Sequence, residues 1–329
     1  MQEACKQHSE RANSMSLISG ALVVLFHPSE TQVRNLLHLR RLCTHIVAVD
    51  NSPEINPYLR ERMKAADIEI LDNFNQGGIA GAFNRGIDRL IARGCNTFFL
   101  FDQDSEVSEG YFEQMLSAVA TLDGPRFLIG PKVFDVNVGR YLPAHVVQRF
   151  GIKPVTVTEE NFGLVSCSSV ISSGSVLSLE TYHLLGPFPE GYFIDQVDTE
   201  YSFRAVCKGV PIYVNTALTM KHELGKRTVH KFLFFKLTQW DMNPTRQYYS
   251  ARNCIHISRS YGVRFPLLNL INILTVIQIA SVLLYERNKR EKLMAVFAGL
   301  FDGVRNRYGA FETCCPRIFA FCALRKENA

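Results

Sequence analysis

No two of the nine cysteines in this 329-residue chain are spaced as a metal-binding pair. C-x-x-C is absent, Cys314 and Cys315 are adjacent, and the count is odd. That pattern reads as reduced thiols of a cytosolic protein, many of them buried, rather than as a disulfide framework. Internal repeats and low-complexity tracts are missing too. The start has no cleanly positive segment: Glu3, Lys6, Glu10 and Arg11 are mixed, and no small-residue cleavage site follows the apolar stretch 16–26. Ser16 to Phe26 is therefore expected to be a buried first strand rather than a signal-peptide core, with residues 1–15 as a tail. The basic excess is small, at +5, and does not by itself imply nucleic acid. An anionic substrate or a negative membrane surface suits it. No Ser-His-Asp or Cys-His arrangement suggests a nucleophile.

What is present is a large apolar fraction, 47%, with only 20% charged residues, enough for a sizeable core. The runs ALVVLF (21–26), HIVAV (45–49), IEIL and TFFLF (97–101) are short, apolar and bounded by polar or turn residues. They predict buried parallel strands. Between them Ile79, Phe83, Ile87, Leu90 and Ile91 share one helical face, as do Phe112, Met115, Leu116, Val119 and Leu122. Strand and helix alternate, which predicts an open α/β sheet with crossover helices, becoming irregular after about residue 130. Ligands of such sheets bind beyond the carboxyl ends of the strands. His27 and Asp50 fall there, and so does the pair Asp102 and Asp104.

Two carboxylates one residue apart on an extended chain share a face and repel. A divalent cation bridging to phosphate oxygens removes that repulsion, and Mg²⁺ takes one or two carboxylates plus substrate phosphates. A polar loop leaving the sheet is the simpler alternative. Gly77 and Gly78 open a helix at NQGGIAGAFNRG (75–86) and would let backbone approach a ligand, with helix N–H groups facing an anion. Asn84 and Gly86 are poor helix formers, so a tertiary or ligand reason is expected for them. Further on, Asp195, Asp198 and Glu200 crowd the start of a helix. Arg204 explains Glu200 as an i,i+4 pair, but not Asp195 or Asp198, either of which can serve as a general base for a hydroxyl. TMKHELGKR (219–227) offers His222 as a cation ligand and Lys226 and Arg227 against phosphate charge.

Taken in order, VDNS, NQGGIAGAFNRG, LFDQDS, ISSGSVL, FIDQVDTEYSFRA and then a histidine resemble glycosyltransferase family 2, in its rhamnosyltransferase branch, over about residues 16 to 260. The resemblance implies a GT-A (Rossmann-like) nucleotide-sugar-binding domain over 16–230, with a donor half 16–130 and an acceptor side 131–230. A mainly helical, membrane-associating extension, 231–329, would follow. It implies an inverting hexosyltransferase using dTDP-L-rhamnose with Mg²⁺ or Mn²⁺. The acceptor would be an amphiphilic glycolipid, with mono-rhamnolipid converted to di-rhamnolipid. A polyprenyl-diphosphate-linked O-antigen or capsule intermediate is the alternative acceptor, and a nucleotidyltransferase or a silent glycan-assembly scaffold lies further off. The cytoplasmic face of a bacterial inner membrane would be its place, with association to preceding rhamnolipid-pathway enzymes and no nucleic acid. By residue, it implies donor contacts from His27, Asp50, Asn51, Gly78, Asn84, Asp102, Gln103, Lys226 and Arg227. The metal would sit on Asp104 and Asp102 with His222. Asp198 matches the base, with Asp195 as the alternative because Val197 stands where the family has Glu. Ser173 and Gly174 lie in a loop near the acceptor, and Tyr248, Tyr249 and Arg252 are further acceptor candidates.

The last hundred residues open with the uncharged stretch 265–285, long enough to span a bilayer. Asn269, Asn272 and Gln278 weaken that reading, and association with a membrane is favoured over a crossing. Leu293, Val296, Phe297, Leu300, Phe301 and Val304 then recur at helical spacing beside Arg287, Lys289, Arg290, Lys292, Arg305 and Arg307. This predicts either a helix on an anionic surface or one docked on the catalytic domain.

Overall fold

The computed structural model describes residues 17–54, 56–137, 139–158, 163–222, 227–232, 235–240, 242–282 and 288–323. At 222, 227–232, 235–240 and 280–282 it describes the backbone alone. The predicted tail 1–15 and Lys226 lie outside the described residues, as do the side chains of His222 and Arg227.

Four parallel strands, β1 (Ser19–Leu25), β2 (His45–Asp50), β3 (Glu69–Asp72) and β4 (Thr97–Asp102), form where the apolar runs predict them. Helices α1 (Glu30–Leu42), α2 (Pro57–Ala65) and α3 (Gly78–Ala92) connect them. The first begins on a capping box, with Ser29 and Gln32 each satisfying the other's backbone N–H. Beyond α4 (Tyr111–Val119) come β5 (Leu128–Asp135), β6 (Arg140–Tyr141), the hairpin β7 (Ala144–Gln148) and β8 (Gly151–Val155), β9 (Leu164–Ser166) and β10 (Ser175–Ser178). Helices α5 (Leu179–Leu185) and α6 (Val197–Cys207), strand β11 (Ile212–His222) and the hairpin β12 (Arg227–Phe232) and β13 (Phe235–Trp240) follow.

The main sheet runs in the order β3-β2-β1-β4-β10-β5-β11-β9, with β6 on β5. Successive residues of β1 face opposite layers. Leu22 and Val24 join a core with Phe83, Ile87 and Leu90 of α3, whereas Ala21, Val23 and Leu25 join one with Val33, Leu36 and Met115. Burial on both faces is why β1 reads as an unbroken apolar run rather than an alternating one. Gly86 is needed for closeness, since a Cβ there would meet Leu22 and Val49 at 3.0–3.2 Å.

The C-terminal helices are α7 (Pro244–Tyr261), α8 (Pro266–Val282), α9 (Lys289–Val304), α10 (Phe311–Cys314) and α11 (Pro316–Ala323). No helix among the described residues is long and apolar enough to cross a membrane. In α8, the Asn272 amide donates to Cys254 O at 3.1 Å and Ser258 Oγ at 2.8 Å, and that of Asn269 to Gly262 O at 3.2 Å. The asparagines that weakened the span reading thus fasten this helix to α7.

His256, fully buried in α7, stacks on Tyr308 at 3.9 Å and lies 3.0 Å from Arg307 O through Nε2. Burial is the main cause that lowers its pKa to about 4. The folded state therefore refuses a proton that the unfolded chain accepts below about 6.5. We expect a contribution of roughly 3 kcal/mol to be present above pH 6.5 and lost as the pH falls towards 4. Denaturant melts at pH 7 and pH 4.5 check this, with the loss shrinking in His256→Gln.

Candidate active site

Strand register sets the first part of the site. Leu25 pairs with Asp50, Val24 with Asp102, and Asp50 with Asp72, so three carboxylates end neighbouring strands along one sheet edge. Asp72 is held by the Arg60 guanidinium in two hydrogen bonds, 2.6 and 2.7 Å, which keeps its pKa below the usual range. Asp50 is buried and accepts the Ser52 N–H at 2.8 Å. His27 is exposed in a left-handed conformation (φ +46°) and its N–H donates to Ser52 Oγ at 2.7 Å.

Asp102 is half-buried at the end of β4, and Asp104 beside it is exposed. Across from them, Asp198 stands in the first turn of α6, where its carboxylate accepts the Thr199 N–H at 2.8 Å and faces the Ser172 N–H. Burial first, then the negative charges of Asp104 and Asp198, pushes Asp102 up to about 7. Asp198 is raised mainly by burial and also by Asp195, against those N–H groups. Asp102, Asp104 and Asp198 thus converge on one electrostatic neighbourhood, though Asp198 is 94 to 96 residues from the other two in sequence.

Among the described residues, the cation facing them is Arg246, which the sequence alone does not single out. Its guanidinium pairs with Asp195 at 2.6 Å and draws the Asp102 pKa down. Half of the Arg246 side chain remains open to solvent. The signal for it was charge balance: three converging carboxylates need a counter-charge, and Arg246 follows the N-cap Asn243 by three residues. Arg246→Ala is expected to raise the Michaelis constant for a diphosphate-bearing donor about tenfold, in line with a charge-assisted hydrogen bond. Steady-state kinetics with donor varied, and the folded state checked by melting, tests it.

Most other predicted contacts prove to be joints inside the protein. The Asn51 amide donates to Gly78 O at 3.1 Å and accepts from Asn73 at 2.7 Å. Gly78 (φ +62°) does permit a close approach, but of the chain's own Phe193 carbonyl, which a Cβ would meet at 2.1 Å. That carbonyl takes the Ile79 N–H at 2.9 Å, so this first-turn donor of α3 is spent on the protein rather than left for an anion. Asn84 donates to Phe188 O and Glu190 Oε1 and accepts the Phe188 N–H, at 2.7–3.0 Å. Gln103 bonds both backbone groups of Phe26. Within the chain, Asn51, Gly78, Asn84 and Gln103 brace the strand ends and the 186–196 segment.

The acceptor candidates are also bonded within the chain. Ser173 is buried and bonds Ser105 Oγ at 2.6 Å, and that oxygen in turn accepts the Asp102 N–H. Gly174 (φ +77°) donates to Leu100 O and accepts the Tyr111 hydroxyl at 2.6 Å. Tyr248, Tyr249 and Arg252 are fully buried. The Tyr248 hydroxyl donates to Asp302 at 2.7 Å, and that of Tyr249 accepts the Phe311 N–H at 2.7 Å. Arg252 donates to the carbonyls of Gly309, Gly191 and Tyr192 at 2.5–3.0 Å. Beside it the Asn253 amide donates to Tyr192, Ile194 and Asp195 carbonyls at 2.8–3.0 Å. Both hold a segment in which Phe193, Asp195 and Gln196 all have positive φ. Such conformations cost energy and persist only where the surroundings over-determine them.

Asp102 and Asp104 are hard oxygen ligands on an open edge, and their mutual repulsion is what a Mg²⁺ or Mn²⁺ ion with phosphate oxygens relieves, so the residues fit such an ion. Among the described residues no group of three or more His, Cys, Asp or Glu is gathered for a metal.

This fold is that of GT-A glycosyltransferases. S. aureus TarS, residues 1–349, superimposes with a TM-score of 0.53 at 12% identity over 88% of this chain and 81% of that one. The same protein in complex with UDP-GlcNAc gives 0.52. GalNAc-T7 with UDP, GalNAc and Mn²⁺ gives 0.51 at 13% identity over 74% of this chain, which spans about half (51%) of the GalNAc-T7 chain. In sequence, the dTDP-rhamnosyl transferase RfbF of Shigella flexneri is 28% identical over 295 residues, 88% of this chain and 96% of the relative. No protein-family profile matches the chain.

Proposed function

We propose that the protein is an inverting rhamnosyltransferase that moves L-rhamnose from dTDP-L-rhamnose to an alcohol on an amphiphilic glycolipid. The observation that carries this reading is the convergence of Asp102 and Asp104 with Asp198 at the carboxyl edge of a GT-A sheet. The full-length likeness to a relative named for dTDP-rhamnose supports the donor. Asp104 and Asp102 would hold a divalent cation, which when bound neutralises the diphosphate leaving group. Arg246 adds positive charge on the same side.

Asp198 takes the proton of the acceptor hydroxyl. Burial raises its proton affinity, while the Thr199 and Ser172 N–H groups keep a carboxylate present to act. The deprotonating oxygen bonds to the anomeric carbon as the bond from that carbon to dTDP breaks, in one displacement that inverts configuration. Asp195 is already held by Arg246, which favours Asp198 as the base.

Mono-rhamnolipid is the acceptor we assign, giving di-rhamnolipid. A polyprenyl-diphosphate-linked O-antigen or capsule intermediate keeps the same donor and chemistry, and the likeness to RfbF is the observation in its favour. Incubation with dTDP-L-rhamnose and each acceptor in turn, read by product mass, separates them. One added deoxyhexosyl unit on mono-rhamnolipid is expected. Addition to the polyprenyl substrate alone supports the second reading, and no transfer to either overturns both.

A further inference from the structure

The apolar stripe of α9 does not face where its periodicity suggests. Val296 is buried and Leu300 partly so, against Ala251 of α7 and Ile279 of α8. Helix α9 instead lays its small residues on α7: a Cβ at Gly299 would meet Tyr248 O at 2.3 Å, and one at Gly303 would meet Arg252 O at 3.0 Å. Close approach through glycine turns the large side chains outward. Phe297, Phe301 and Val304 are 62%, 51% and 66% exposed, in line with Leu293 and Met294. On α8, which carries no charged residue, Leu270, Ile273, Leu274 and Ile277 recur at helical spacing and are each more than half exposed. Both helices pack on α7 around Ala251, and each leaves an apolar stripe exposed.

Charge on α9 is partly sorted: Lys292 is buried, but the exposed charges are all basic. Its acidic residues, Glu291 and Asp302, are both buried, at 2% and 0% exposure. Arg290 at its start and Arg305 at its end are exposed, the latter lying over the Phe301 ring at 4.1 Å. An apolar surface rimmed by cations with its carboxylates withdrawn complements a bilayer that exposes acyl chains below anionic headgroups. A second copy of the chain fits less well, because twofold pairing of this face would bring like charges together.

We infer that the α8–α9 face docks on an anionic lipid surface, with Phe297, Phe301, Leu274 and Ile277 entering the headgroup–acyl boundary and Arg290 and Arg305 at the phosphates. Helix α7 alone separates this face from the catalytic loop: Ala251 meets α8 and α9, whereas Arg246 and Asn253 hold Asp195 and its neighbours. One helix is about 10–12 Å across, so an amphiphile in the leaflet would lie near the site proposed above. The docking itself does not depend on that reading.

Co-sedimentation of the full chain with vesicles of phosphatidylglycerol and of phosphatidylcholine, without donor or acceptor, tests the inference. Binding to the anionic vesicles is expected, weakened by salt, and reduced about tenfold or more in the double variant Phe297→Asp/Phe301→Asp. Melting and circular dichroism show that this variant is folded. A parent protein that stays in the supernatant with every vesicle, or a folded double variant that binds like the parent, overturns it. So does a dimer in solution that the same substitutions disperse, since the face would then belong to a second copy. Because no sugar transfer is read, vesicle binding without rhamnosyl transfer would count against the proposed reaction and not against the docking face.

Discussion

Asp198→Asn is expected to lower turnover by about 10²–10⁴-fold, the usual worth of a positioned general base. The substitution keeps the shape and leaves the Thr199 N–H with an oxygen acceptor, so helix α6 should start as before. It removes only the capacity to take a proton. Substrate affinity should change little, since the acceptor hydroxyl loses a charged partner only as it deprotonates. Asp195→Asn is the informative companion. Asp195 lies under Arg246 and its backbone carbonyl is fixed by Asn253. Its loss should act through a displaced Arg246, raising the donor Michaelis constant and lowering turnover far less than the Asp198 change. A reversed order of the two turnover losses would move the base to Asp195.

Arg252→Met is expected to cost about 3–5 kcal/mol of stability, the combined loss of several buried hydrogen bonds from a charged donor at about 1.5 kcal/mol each. The guanidinium is fully buried, stacks against Tyr248 and Tyr249 at 5.3 and 4.9 Å, and is the shared donor to carbonyls on the 191–192 segment and at Gly309. Methionine restores much of the packing but none of the donors. Three carbonyls would then need water that the site, with its flanking rings, has little room for. The melting temperature should fall by roughly 10 °C. Because the same network pins the positive-φ segment before α6, the residual folded protein should also turn over more slowly. A melting temperature within a degree or two of the parent would show that the C-terminal helices do not brace the catalytic loop.

The first half of the fold was legible because β1, β2 and β4 are buried on both faces and α3 and α4 on one, and each leaves its own periodicity; β3, at the sheet edge, is only half-buried. Strand β10 was not. Its four residues, Ser175–Ser178, slip antiparallel between β4 and β5, and nothing local distinguishes them from a loop. The acidic positions of the site were legible for a related reason. Carboxylates at the end of apolar strands and at the head of a helix are costly arrangements, so they stand out. The bracing role of the polar residues around them was not legible, because a buried amide that ties two loops has the same composition as one that waits for a ligand. Asn51, Asn84 and Asn253 each satisfy backbone groups far away in sequence, and only the three-dimensional pairing reveals it. For α9, periodicity located the helix but not its buried face. There the contact was decided by Gly299 and Gly303, which let backbones approach, rather than by its largest side chains.

Titration of the folded full-length protein with thymidine diphosphate, in the presence of Mg²⁺ or Mn²⁺ and again with Asp104→Asn, tests the central claim most directly. The account predicts saturable binding that needs the cation and falls by about tenfold or more when Asp104 loses its charge. Absence of affinity with either cation, or equal affinity in the variant, would contradict it.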